Sequence, residues 1–134
     1  NEVLICHLAG NDTLSVAQLE DIYSKGIVSS FEYLAVNPAS SVEMLEMLYE
    51  KYDESAIRIA LAHNKRTPEA ILRALFERDE FEIYKSMASN SSLPMELLDI
   101  LKVDTRLQNE LAENEIFVKE YETVLDYDKN AVQF

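Results

Sequence analysis

Apolar residues recur along this chain in short bursts of helical spacing, and the bursts come in pairs. A tetrad divides each pair: an apolar residue, an alanine, any residue, an asparagine. It stands at Leu8-Ala9-Gly10-Asn11, Leu34-Ala35-Val36-Asn37, Leu61-Ala62-His63-Asn64, Met87-Ala88-Ser89-Asn90 and Leu111-Ala112-Glu113-Asn114. The asparagines are 26, 27, 26 and 24 residues apart. A fixed period of this length marks a repeat architecture. After each asparagine come a short polar gap and an amphipathic run: SVAQLEDIYSK, SVEMLEMLYEK, TPEAILRALFERD, LPMELLDILK and FVKEYETVLDY. Before it stands a shorter run, such as SAIRIALAHN, FEIYKSMASN or TRLQNELAEN. Those shorter runs fit about two to three helical turns.

Start signals support the pairing. Ser15 and Ser41 are placed to cap the helices that follow, and Thr67 is taken as their equivalent. Pro68 and Pro94 then fall in the first turn, where a missing N–H is harmless. Leu93 and Phe117 have no capping side chain. Counted from these caps, the fourth positions are Leu19, Leu45, Ile71, Leu97 and Tyr121, and the seventh are Ile22, Leu48, Ala74, Ile100 and Val124. The two columns share one helix face, which is predicted to form core. The sixth positions, Asp21, Met47, Arg73, Asp99 and Thr123, are predicted to face water. In the shorter helix, Ile57, Leu61 and Ala62 should point inward, the alanine letting a neighbouring backbone come close.

The asparagines have a physical reason to recur. Asparagine tolerates the left-handed conformation that ends helices, and its amide both donates and accepts. A column of Asn11, Asn37, Asn64, Asn90 and Asn114 can therefore tie each tight turn to the next. The expectation is an all-α chain, one helical-repeat domain over 1–134. It comprises about five stacked two-helix repeats of 24–27 residues, near 1–26, 27–54, 55–80, 81–104 and 105–128. Residues 129–134 read as the start of a further helix or as a cap.

Composition narrows the function classes. The chain is 48% apolar, with two glycines and three prolines, which is little turn chemistry for a sheet protein. A net charge of −13 repels phosphate backbones and anionic lipid, arguing against nucleic acid and membrane partners. The chain has no apolar run long enough to span a bilayer. One cysteine cannot form an internal disulfide, which fits a reducing, cytoplasmic setting.

The run Ile57-Arg58-Ile59-Ala60-Leu61-Ala62-His63-Asn64, followed by Thr67-Pro68-Glu69 and by Leu72 and Leu75, resembles the leucine-rich repeat variant family, a relative of the HEAT and armadillo repeats. The resemblance extends from about Val3 to Asp128. It implies a right-handed α-solenoid in which one helix of a pair is sometimes a 3₁₀ helix, and it implies no chemistry. Iron–sulfur clusters accompany such repeats in that family, but Cys6 alone cannot supply a four-cysteine site.

Candidate chemistry is sparse. Cys6-His7 are adjacent and so face apart on a helix, and Cys6 reads as a small buried apolar residue. His63 reads as a turn or surface residue. The acids Glu43, Glu46, Glu50, Asp53 and Glu54, and then Asp79, Glu80 and Glu82, follow no metal-loop pattern. No catalytic residue, metal, cofactor or small-molecule substrate is expected. One asymmetry stands out: Arg58, Lys65, Arg66, Arg73 and Arg78 face only Glu69 and Glu77 between residues 55 and 78. They are either a docking patch for an acidic protein partner or ordinary surface charge, with Arg73 pairing to Glu69 and Glu77. The expected function is a non-enzymatic protein-interaction scaffold or adaptor. The alternatives are a HEAT-like nucleic-acid-binding or DNA-repair module, and a structural or regulatory domain of a larger protein.

Overall fold

The structure, a computed structural model, describes residues 1–116, 118 and 119. Among the described residues every regular element is helical. The α-helices are α1 (Glu2–Ala9), α2 (Val16–Ser24), α3 (Phe31–Val36), α4 (Val42–Lys51), α5 (Ser55–His63), α6 (Glu69–Phe76), α7 (Phe81–Ala88), α8 (Met95–Leu101) and α9 (Gln108–Ala112). Two 3₁₀ turns, Val28–Ser30 and Thr105–Leu107, lead into α3 and α9. The expectations for Phe117, Tyr121, Thr123, Val124 and residues 129–134 lie outside the described residues.

The longest of these helices, α4, has ten residues. Helices this short are marginal alone in water, so packing must hold them. The odd-numbered helices lie in a row, α1 against α3, α3 against α5, α5 against α7 and α7 against α9. On one side of that row, α2, α4 and α6 each pack against the two odd helices that flank them in sequence. The core runs between the two sets. Leu34, Leu61, Met87 and Leu111 supply it from the row, and Leu19, Leu45, Leu72 and Leu98 from the other side. Ile57, Leu61 and Ala62 are buried as their spacing requires.

The register of the later helices differs by one residue from the cap-based expectation. Ser15 and Ser41 are N-caps, accepting from Gln18 N and Met44 N, and Ser15 completes a capping box with Gln18. Thr67 is not a cap for α6. Its hydroxyl is buried and donates back to Leu61 O at 2.6 Å, closing the end of α5, as Ser40 does to Leu34 O at 2.6 Å. The cap positions of α6 and α8 are Pro68 and Pro94, with no side-chain hydrogen bond. The innermost columns therefore pass through Leu72 and Leu98, and through Leu75 and Leu101. Ala74 is only half-buried, and Ile100 is 54% exposed.

Helix stops follow backbone chemistry. Gly26 (φ 72°) and Asp79 (φ 55°) both adopt the left-handed conformation, fifteen residues after Asn11 and Asn64 respectively. Glycine does this freely, whereas Asp79 is held there while accepting a hydrogen bond from Tyr84 Oη at 2.8 Å. The turn asparagines are not left-handed. Asn37 (φ −69°, ψ 119°) and Asn64 (φ −77°, ψ 123°) are extended. Their recurrence has to be explained by the amide.

Candidate functional site

The amides do form a ladder. Asn37 Nδ2 donates to Ala9 O (2.8 Å) and Asn11 O (3.0 Å). Asn64 Nδ2 donates to Ala35 O (2.8 Å) and Asn37 O (3.1 Å), and Asn90 Nδ2 to Ala62 O (2.8 Å) and Asn64 O (3.2 Å). Asn114 Nδ2 repeats this on Ala88 O (2.9 Å) and Asn90 O (3.0 Å). Each Oδ1 accepts from the backbone N–H two residues on: Thr13, Ala39, Arg66, Ser92 and Ile116. One side chain thus closes its own turn and satisfies two carbonyls of the turn before it. Asn37, Asn64, Asn90 and Asn114 are buried, so an unmet partner at any rung costs about 1–3 kcal/mol per group. Asn11 is exposed, and among the described residues its Nδ2 donates to nothing.

The five basic residues do not form one patch. At the start of α5, Arg58 Nη1 donates to Asp53 Oδ1 at 2.7 Å, and its Nη2 lies 3.4 Å from Glu80 Oε1. Arg78 joins the same two acids, at 3.0 Å from Glu80 and 3.5 Å from Asp53. The result is a ring of two cations and two anions. Arg58 is only 12% exposed within it, and its Nε is buried without a partner. The hydrogen bond from Arg78 holds the Glu80 carboxyl below its ordinary range. Arg73 pairs with Glu69 at 2.7 Å and, in place of Glu77, with Glu96 of α8 at 3.2 Å. Lys65 and Arg66 are exposed on the asparagine turn and make no ion pair among the described residues. They sit at the other end of α5 from Arg58, about 10 Å away along the helix.

Away from the even helices, the odd-helix row carries grooves. One of about 900 Å³ is lined by Glu2, Cys6, His7, Gly10, Ser29 and Tyr33. A second, of about 350 Å³, is lined by Tyr33, Val36, Ala56, Ile59, His63 and Ser86. Tyr33, 42% exposed, lines both. Small residues at Gly10, Ala56 and Ser86 leave room beside the larger Tyr33, Val36 and Ile59. Sequence reasoning missed this surface. Its signal was Tyr33 and Ile59, apolar bodies outside the inward stripe of their own helices.

The titratable groups near the groove do not assemble into a reaction centre. Cys6 is half-buried, not buried as expected, because the groove opens beside it, and its thiol donates to Ser29 Oγ at 3.5 Å. Ser29 in turn donates to Glu2 Oε1 at 2.6 Å. His7 and His63 are both exposed and line different grooves. Among the described residues no three His, Cys, Asp or Glu side chains converge on a metal position, and no helix is long and apolar enough to cross a membrane.

Comparison with protein-family models, curated proteins and solved structures returned no match.

Proposed function

We propose that the chain is a right-handed α-solenoid of five stacked helix pairs of the leucine-rich repeat variant type, and that it serves as a non-enzymatic scaffold for a protein partner. The observation that carries this reading is the asparagine ladder. A buried amide that bonds two carbonyls of the preceding turn, four times in succession, makes a stiff elongated support. Extended helical supports of this kind present long surfaces to partners. The partner surface is the odd-helix face, where Tyr33 joins two grooves into one path. Glu2, Asp12 and Glu32 border that path, so the segment that fits it carries apolar and cationic side chains. Lys65 and Arg66 extend the surface at the turn, where neither is tied to an acid among the described residues. Arg58, Arg73 and Arg78 hold neighbouring elements together in this reading.

The test is a pull-down from the native source with three baits: wild type, a Tyr33→Glu/Val36→Glu variant, and a Lys65→Glu/Arg66→Glu variant. All four positions are exposed, so melting temperature should stay within a few degrees. Loss of one specific partner from the groove variant supports the reading. Identical partner sets from all three baits overturn it.

A further inference from the structure

The larger groove, bordered by α1 and α3, carries the one exposed aromatic ring among the described residues, that of Tyr33. Two of its nine lining residues are carboxylates, Glu2 and Asp12, and none is lysine or arginine. Ser29 Oγ engages Glu2 Oε1 at 2.6 Å, and Oε2 has no partner among the described residues. Asp12 is exposed, and among the described residues no cation pairs with it. Gly10 stands beside the ring. Its backbone is right-handed (φ −86°, ψ −2°), a conformation any residue adopts. A Cβ there would lie 3.7 Å from His7 O and 3.9 Å from Tyr33 Cδ1, at ordinary contact distances. Neither conformation nor crowding therefore calls for glycine, and the other tetrads carry Val36, His63, Ser89 and Glu113 at this place. The effect of the missing side chain is to leave the approach to the Tyr33 ring open.

The protein itself shows what completes such a set. The Arg106 guanidinium lies over the Phe81 ring, 4.3 Å from its centroid, while its Nε and Nη2 donate to the two oxygens of Asp104 at 3.0 and 2.7 Å. An aromatic face and a carboxylate there hold one guanidinium between them. The groove at Tyr33 offers a ring and two carboxylates and has no arginine or lysine of its own. A guanidinium suits that set better than an ammonium does. It is planar, it stacks on rings, it is weakly hydrated, and it donates in a fork to a carboxylate.

We infer that this groove holds an arginine side chain of the protein partner, stacked on the Tyr33 ring and paired with Glu2 and Asp12. The inference rests on the scaffold reading above and names the partner chemistry of the same surface. Nuclear magnetic resonance titration tests it on the full chain, with three probes at constant ionic strength: N-acetylarginine methylamide, its lysine counterpart and its uncharged citrulline counterpart. The Tyr33 ring and Val3 methyl resonances report on the groove. The titration is run at pH 8, where free imidazole is uncharged, because His7 also lines the groove. The arginine probe should shift both resonances and saturate, binding about two-fold or more tighter than the lysine probe, and the citrulline probe should leave them in place. Tyr33→Leu should weaken the arginine probe about three-fold or more, whereas Tyr33→Phe should retain it, since the ring face and not the hydroxyl is used. Gly10→Leu should abolish binding by filling the approach to the ring. All these positions are exposed, and unchanged resonances away from the groove would show that each variant is folded. No shift with arginine, equal binding of arginine and lysine, or full binding by the Tyr33→Leu and Gly10→Leu variants overturns the inference. Failure of the scaffold reading shows separately, as a pull-down in which the Tyr33→Glu/Val36→Glu bait keeps every partner. A partner lost from that bait together with an indifferent probe titration overturns the arginine assignment alone.

Discussion

Two edges of the molecule run along the same helices and are built on different principles. On the turn edge one residue type makes the same bonds at every step. On the connector edge, where even helices pass into odd ones, each step is filled differently. Tyr23 stacks on Phe31 at 5.1 Å, and Phe31 meets Tyr52 at 4.8 Å. The next step is the ionic ring of Asp53, Arg58, Arg78 and Glu80. Beyond it come Phe76 against Tyr84 at 5.1 Å, and the Arg106 guanidinium over the Phe81 ring at 4.3 Å. The difference reflects what each edge must satisfy. Buried carbonyls need a donor in one direction at one distance, so the solution repeats. A gap between helices needs only volume and matched charge, so many solutions serve.

That comparison can be broken most sharply at the ladder. Asn64→Ala removes two buried donors and the acceptor for Arg66 N, and should destabilise by about 3–5 kcal/mol in denaturant unfolding. Asn11→Ala should change stability by less than about 1 kcal/mol, because its amide is exposed. Equal effects at both positions would mean the ladder is not what holds the turns. Next in size, Phe31→Leu on the connector edge should cost only about 1–1.5 kcal/mol, since the site asks for apolar volume and not for a directed bond. Smaller still is the backbone at residue 79. Ala there should be about 1 kcal/mol less stable than Gly, measured between the two variants, because the left-handed conformation excludes a Cβ without a compensating bond.

The smallest effect concerns acid. Glu80 titrates below its ordinary value of 4.5, chiefly because Arg78 donates to it. A group depressed in this way contributes above its unfolded value and loses that contribution as pH falls through its folded one. Arg78→Gln should therefore flatten the loss of melting temperature as pH falls below about 4.5, relative to wild type, and 1 M salt should do the same to wild type. A wild-type curve insensitive to both changes would show that the ring is inert.

Much of the helical order was legible in the chain. The asparagine column, the inward alanines and the Ser15 and Ser41 caps each depend on a local signal, and the bonds match. The register after Asn64 was misread because threonine is both a good N-cap and a good donor to a helix-ending carbonyl, and Thr67 takes the second role. The left-handed expectation for asparagine failed because an amide bridging two turns needs an extended backbone at that residue. Pairing rules within one helix found Arg73 with Glu69 but could not see Glu96, which belongs to another helix. Arg58 with Glu80 was hidden for the same reason. The groove left only the faint signal of Tyr33 and Ile59 outside their inward stripes, because their exposure is set by how far neighbouring helices stand apart.

The rungs of the ladder vary only between 2.8 and 3.2 Å, which fixes the rise per turn along that edge. An inextensible spine leaves only the far margin free to lengthen or shorten. Bulk at Phe31, Arg58 or Tyr84 thus sets how far neighbouring helices stand apart on that margin, step by step, while the amide edge keeps its spacing.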